Sequence, residues 1–251
     1  MFLVSLIPAF KDNYIWLLTR GQRAAVVDPG DAAPVLERLR ADGLTLESIL
    51  VTHHHADHQG GVAELVERHA AQVFAPASES ITGCTRPLSG GERIDVLGTP
   101  VEVIAVPGHT LGHLAYRAPG RLFCGDTLFG AGCGRLFEGT PAQMAASLAA
   151  IAALPDDTAI HCAHEYTEMN LRFALAVEPD NPAVRERVAR VAALRAAGQP
   201  SVPSTLADEK ASNPFLRCAE PAVVDAALAH GAVDRSPTAV FAALRAWRNV
   251  F

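Results

Sequence analysis

The chain has 251 residues, of which 49% are hydrophobic and only 19% charged. That composition supports a substantial core in one large domain or two, and it excludes a disordered chain. The net charge of −6 disfavours a nucleic-acid partner, because phosphate binding needs a basic surface.

The acid excess is not spread evenly. Residues 1–164 carry 11 Lys and Arg against 17 Asp and Glu, whereas residues 165–251 carry 10 against 10. No apolar run reaches about 18 residues, so no membrane-spanning helix and no membrane partner are expected. The opening Met1-Phe2-Leu3-Val4-Ser5 has no basic stretch and no small-residue cleavage site. It reads as a first strand, which makes the cytoplasm the default location. Five scattered cysteines, with no C-x-x-C, argue against a disulfide framework or a thiolate zinc site.

Residues 3–7 and 14–19 read as strands joined by Lys11-Asp12-Asn13. Ala24-Ala25-Val26-Val27 reads as a third, ended by the turn Asp28-Pro29-Gly30. Val35, Leu36 and Leu39 predict a helix over 33–42, with Gly43 as its C-terminal cap. Ser48-Ile49-Leu50-Val51 is a buried strand, and Gly60-Gly61 opens a helix to about residue 70. Residues 81–99, rich in Gly, Ser, Pro and Thr, read as irregular. A strand at 101–106 follows, then a hairpin of 114–117 with 121–124, a helix after Pro141, and a last strand at 159–162. From Glu165 onward helical spacing takes over, as in Val184, Val188, Val191 and Leu194, and again in Val240, Leu244, Trp247 and Phe251. Thr205-Leu206-Ala207-Asp208 fits a helix cap. The expected organisation is therefore a β-rich α/β domain over 1–164 and a smaller all-helical domain over 165–251.

Thr52-His53-His54-His55-Ala56-Asp57-His58 places four of the ten histidines within six residues, with a carboxylate among them. Imidazoles plus a carboxylate suit zinc and iron. His53 and His55, two apart, can aim at one centre, leaving Asp57 and His58 for a second. Three more candidates each follow an apolar run: His109 in Pro107-Gly108-His109-Thr110, Asp126 in Cys124-Gly125-Asp126-Thr127, and His164 in Ala163-His164-Glu165. Strand ends meeting at one sheet edge would bring these to the first loop. Seven side chains can then hold two divalent ions: His53, His55 and His109 on one, Asp57, His58 and His164 on the other, with Asp126 bridging. Zinc suits such a set first, with iron or manganese also possible, and two divalent cations would offset 4 of the 6 negative charges. Arg245 and Arg248, at i and i+3, lie on one side of the last helix and could clamp a carboxylate.

These motifs carry a resemblance. T-H-x-H-x-D-H, G-H-T, G-D-T-L-F and H-E-Y-T resemble the metallo-β-lactamase superfamily. The opening Ile7-Pro8-Ala9-Phe10-Lys11-Asp12-Asn13-Tyr14, the loop at 132–139, Pro203-Ser204-Thr205-Leu206, and Asn213-Pro214-Phe215-Leu216-Arg217 resemble the glyoxalase II family within it. The resemblance implies an αββα sandwich carrying a binuclear metal centre, followed by a helical domain. It implies glutathione thioesters as substrates, chiefly S-D-lactoylglutathione, and a small-molecule partner for what reads as a monomer. It also implies that Arg135, Tyr166, Arg245 and Arg248 bind glutathione. Some members have lysine where this chain has Arg135 and Arg248, and tyrosine where it has Phe137. Asp57 is expected to orient the attacking hydroxide, and the non-ligand His54 and His113 could fix ligand tautomers.

Overall fold

A computed structural model describes residues 1–251. The chain divides into two compact units, one of residues 1–106 with 110–125 and one of residues 107–109 with 126–251.

The first unit begins with a meander of β1 (Leu3–Ala9), β2 (Asn13–Arg20) and β3 (Arg23–Val27), paired antiparallel in order. Helix α1 (Ala32–Asp42) then returns the chain to β4 (Thr45–Leu50), which runs parallel to β3. Its ends are fixed locally. Asp31 accepts from Ala33 N at the N-terminus, and Gly43 takes the left-handed conformation at the C-terminus. A second crossover, through the one-turn helix α2 (Ala56–Gln59) and α3 (Val62–His69), leads to β5 (Gln72–Pro76). β5 is followed by the parallel edge strand β6 (Arg86–Leu88). The six strands lie in sequence order in one sheet. Ile15, Leu17, Val26, Ile49, Val51, Val62, Leu65 and Val73 form its core beneath α1 and α3. Val51 follows β4 directly, so the histidine-rich stretch emerges at the C-terminal ends of parallel strands, where open α/β sheets place their ligands. The remaining strands of this unit, β7 (Arg93–Val96), β8 (Thr99–Ala105), β9 (Leu114–Ala118) and β10 (Arg121–Gly125), pair antiparallel in turn.

The second unit opens with a small hairpin, β11 (Leu128–Phe129) and β12 (Gly132–Cys133). Helix α4 (Pro141–Ala152) follows behind a complete capping box at Thr140 and Gln143. Then come β13 (Ala159–Cys162), α5 (Thr167–Val177), α6 (Pro182–Ala196), β14 (Ser204–Thr205), α7 (Leu206–Ser212), α8 (Pro221–Ala229) and α9 (Pro237–Val250). Leu171 and Ala174 of α5 pack with Val184 and Val191 of α6 and with Ala131. Thr205 Oγ1 accepts from Asp208 N at 3.1 Å, so the cap expected there forms.

Three local readings of the sequence change. Residues 81–99 are not wholly irregular, since β6 and β7 form within them; each is only three or four residues long, too short to show an alternation. Asp57 and His58 sit on the single turn of α2, not in a loop. β14 pairs with β13 inside the region read as all-helical.

Candidate active site

The first unit gathers His53, His55, Asp57 and His58 around a carboxylate that the sequence did not mark. Asp28 follows β3 directly with a left-handed backbone (φ 54°) and is buried. Its Oδ1 accepts from Thr52 N at 2.7 Å, and its Oδ2 accepts from Thr52 Oγ1 at 2.8 Å and from His58 Nδ1 at 3.1 Å. A carboxylate only accepts. His58 must therefore carry its proton on Nδ1, which leaves a lone pair on Nε2. The Thr52 hydroxyl has one proton, and Asp28 takes it. Its oxygen, 3.0 Å from His53 Nδ1, can then only accept, so His53 is also protonated on Nδ1 and bare at Nε2. One buried carboxylate thus sets two imidazoles in the state that binds a metal.

The ligand atoms converge as well. His53 Nε2 lies 3.0 Å from His55 Nδ1, and His58 Nε2 lies 3.5 Å from Asp57 Oδ2. Two donors about 2.1 Å from one ion come this close to each other. Asn13 Nδ2 donates to Asp57 Oδ2 at 3.0 Å and to its carbonyl oxygen at 3.4 Å, fixing that side chain. The turn at 28–30 also supports α2 sterically: a Cβ on Gly30 would fall 1.9 Å from the Asp57 carbonyl oxygen. His113 is buried and stacks on His53 at 4.7 Å. His54 lies 3.0 Å from Glu79 Oε2, and Glu79 Oε1 accepts from Thr110 Oγ1 and Gly112 N.

The second unit gathers His109, Asp126 and His164, all buried. Asp126 turns one oxygen to each histidine: Oδ2 is 3.4 Å from His109 Nε2, and Oδ1 is 3.3 Å from His164 Nε2. A carboxylate that bridges two ions has this disposition. His109 Nδ1 donates to the Arg135 carbonyl oxygen at 2.8 Å, so its Nε2 is again bare. The Tyr166 ring lies flat on His164, 4.7 Å away at 7°. These histidines and aspartates thus fit a metal in donor type and spacing, with His53, His58 and His109 also in the fitting tautomer, and they include groups able to hold an ion.

In the same unit a cavity of about 330 Å³ is lined by His109, Asp126, Phe129, Phe137, Tyr166 and Met169, together with Arg135, Arg245 and Arg248. Asp126 is the only acidic side chain in its lining. Arg245 is buried and donates to the Cys133 carbonyl oxygen at 2.8 Å, with its guanidinium over the Phe215 ring. Arg248 donates to Asn170 Oδ1 at 3.3 Å. Burial first, and the neighbouring Arg245 second, hold Arg248 below the ordinary arginine pKa. Three cations with one acidic side chain among them suit an anion. Phe137 brings no hydroxyl, but its amide donates to the His109 carbonyl oxygen and its ring meets the His109 imidazole edge-on at 5.3 Å. None of the five cysteines is in a disulfide. Cys162 and Cys218 are pushed up to about 12 by burial, which makes them poor nucleophiles at neutral pH.

Comparison with known proteins agrees with these features. Residues 10–164 match the metallo-beta-lactamase superfamily, and residues 165–251 match the hydroxyacylglutathione hydrolase C-terminus. A hydroxyacylglutathione hydrolase of Dechloromonas aromatica (strain RCB) is 72% identical over 265 residues, covering 100% of each chain. Among solved structures, ETHE1 from Myxococcus xanthus is 25% identical, covers 86% of this chain and 84% of that chain, and superposes with a TM-score of 0.66. Another, solved in a di-iron-bound form, is 30% identical over 64% of this chain and 91% of that one, with a TM-score of 0.54. The fold is that of the metallo-β-lactamase superfamily, followed by a helical C-terminal region. Within that superfamily the chain belongs to the hydroxyacylglutathione hydrolase family, glyoxalase II, and it is an enzyme of the hydrolase class.

Proposed function

We propose that the enzyme hydrolyses S-D-lactoylglutathione, and related S-2-hydroxyacylglutathiones, to glutathione and the free hydroxy acid, the second step of methylglyoxal detoxification. The observation that carries this is the cavity in which Arg135, Arg245 and Arg248 line the same space as His109 and Asp126. An anionic tripeptide held by the arginines would present its thioester to the ligand-bearing wall.

On this reading residues 1–164 form the metal-binding catalytic domain and residues 165–251 bind glutathione. His53, His55 and His109 hold one ion, Asp57, His58 and His164 the other, and Asp126 bridges. The tautomers imposed by Asp28 and by the Arg135 carbonyl oxygen support it. The ligand set favours zinc, with iron or manganese as alternatives, and the di-iron form of a solved neighbour supports iron. The enzyme acts as a cytoplasmic monomer.

When bound, the ions would supply a water with its pKa lowered to about 7 and would polarise the acyl carbonyl. Asp57, steadied by Asn13, orients the attacking hydroxide. Arg245 and Arg248 take a carboxylate of glutathione, and Arg135 and Tyr166 hold the peptide beside them. The leaving thiolate has a pKa of about 8.5, so it departs without a strong general acid, and this cavity supplies none.

Thioester hydrolysis measured on S-D-lactoylglutathione with and without chelator, alongside metal analysis, tests the reading. Asp126→Ala should lose most of the metal and most of the activity. Wild-type turnover in the chelated enzyme would refute the metal chemistry, and full metal content in Asp126→Ala would refute the bridge.

A further inference from the structure

The segment from Asp126 to Arg135 bears three of the groups just described. Asp126 stands at its start, and Arg135 and the carbonyl oxygen that orients His109 stand at its end. Between them lies the β11–β12 hairpin, whose tip carries Ala131 in a left-handed conformation (φ 54°). The segment folds tightly on itself: a Cβ on Gly134 would fall 1.9 Å from the Asp126 carbonyl oxygen. The hairpin is thus held close against the backbone of Asp126 and the ring of His109.

Side chains from the helices hold that hairpin. Each residue from 129 to 133 has a backbone group bound by one of them. Asn213 Nδ2 donates to Gly132 O at 2.9 Å and, at 3.3 Å, to Phe129 O. Glu209 Oε2 accepts from Ala131 N at 2.8 Å and from Asn213 Nδ2 at 3.1 Å. Asn170 Nδ2 donates to Gly130 O at 3.1 Å, and Arg245 donates to Cys133 O at 2.8 Å. Glu209 and Asn213 are both fully buried. The other Glu209 oxygen accepts from Arg187 Nη2 at 2.5 Å and from Ser204 Oγ at 2.6 Å, with Arg187 itself buried. A buried carboxylate with this many donors has a single orientation.

We propose that Glu209 and Asn213 are positioning residues for the metal ligands Asp126 and His109, acting through the 128–133 hairpin. The helical region then does more than bind glutathione, because it also sets the geometry of two ligands. Asn170 extends the same link to substrate, since it accepts from Arg248 while donating to Gly130 O. The inference rests on reading Asp126 and His109 as ligands.

The test is metal affinity, measured by chelator competition on the full-length enzyme well below its unfolding midpoint. Asn213→Ala removes the donors to Phe129 and Gly132 without changing charge. Glu209→Gln keeps the shape and halves the acceptor capacity. In whichever of them folds, affinity for at least one ion should fall about 10- to 100-fold, the usual effect of losing a group that orients a ligand. kcat should fall with KM little changed. Lys210→Ala, on the outward side of the same helix and paired with Asp156, should alter neither. A folded Asn213→Ala or Glu209→Gln enzyme with wild-type affinity for both ions would overturn the proposal, even if its unfolding midpoint had dropped. His109→Ala and Asp126→Ala separate the two readings. If they too keep wild-type affinity, the ligand assignment itself is wrong. If they lose metal and the positioning variants do not, only the present inference fails.

Discussion

Asp28→Asn changes one atom of a buried side chain, and its consequence follows from counting protons. The carboxylate accepts from Thr52 N, Thr52 Oγ1 and His58 Nδ1. An asparagine oxygen can keep the backbone amide of Thr52, but its NH2 group then faces the other two partners. His58 either points an N–H at an N–H or moves its proton to Nε2, which blocks the lone pair that would bind the ion. The Thr52 hydroxyl, now receiving from the amide, turns its own proton toward His53 Nδ1, and His53 shifts to the wrong tautomer too. One lost charge-assisted bond costs the metal-free enzyme about 1.5–3 kcal/mol. Two wrongly protonated ligands weaken metal binding about 10- to 100-fold, or about 1.4–2.7 kcal/mol. Because His53 and His58 belong to different ions in the proposed centre, both affinities should fall in Asp28→Asn. Thr52→Val, which removes only the hydroxyl relay, should weaken one. Chelator competition measures the affinities, and 15N spectra of the imidazoles report the tautomers. Wild-type affinity for both ions in a folded Asp28→Asn enzyme would refute the tautomer argument.

Two further substitutions probe the same regions. Arg248→Ala should raise KM for S-D-lactoylglutathione far more than it lowers kcat if the arginine grips, as proposed, a part of the substrate that does not react; an unchanged KM in steady-state kinetics would remove Arg248 from the site. Gly30→Ala would place a methyl group 1.9 Å from the Asp57 carbonyl oxygen, so α2 must shift. Metal content should fall along with thermal stability, and a variant with both unchanged would show that the turn at 28–30 does not seat α2.

The candidate ligands were legible because residue type declares ligand chemistry. His53, His55 and His58 crowd one stretch, and each of His109, Asp126 and His164 ends an apolar run, so the sequence names candidates without any knowledge of distances. Arg245 and Arg248 were legible as a pair because helical spacing alone puts i and i+3 on one side. The supports of these residues were not legible. Asp28 reads as the first residue of a D-P-G turn, and nothing in the sequence says that β3 and β4 lie side by side with their C-terminal ends together. That parallel pairing is what brings Asp28 to Thr52 and His58.

Arg187 and Glu209 show the same limit in the second unit. Arg187 falls three residues after Val184 and four before Val191, on the buried stripe of α6, and a charged residue there looks like an interruption of the pattern. It is buried because Glu209, 22 positions on, meets it. A buried ion pair of this kind is weak evidence for stability, since well-packed apolar residues often serve as well. Its presence fits better with what the other Glu209 oxygen does, which is to hold Ala131 N at the tip of the hairpin that follows Asp126. An apolar pair would fill the space, leave that amide without its side-chain acceptor, and take from Asn213 Nδ2 one of its three acceptors. Arg187 and Glu209 are thus best explained by the geometry they impose on the hairpin, and the Asn213 and Glu209 variants decide whether that geometry reaches the proposed metal ligands.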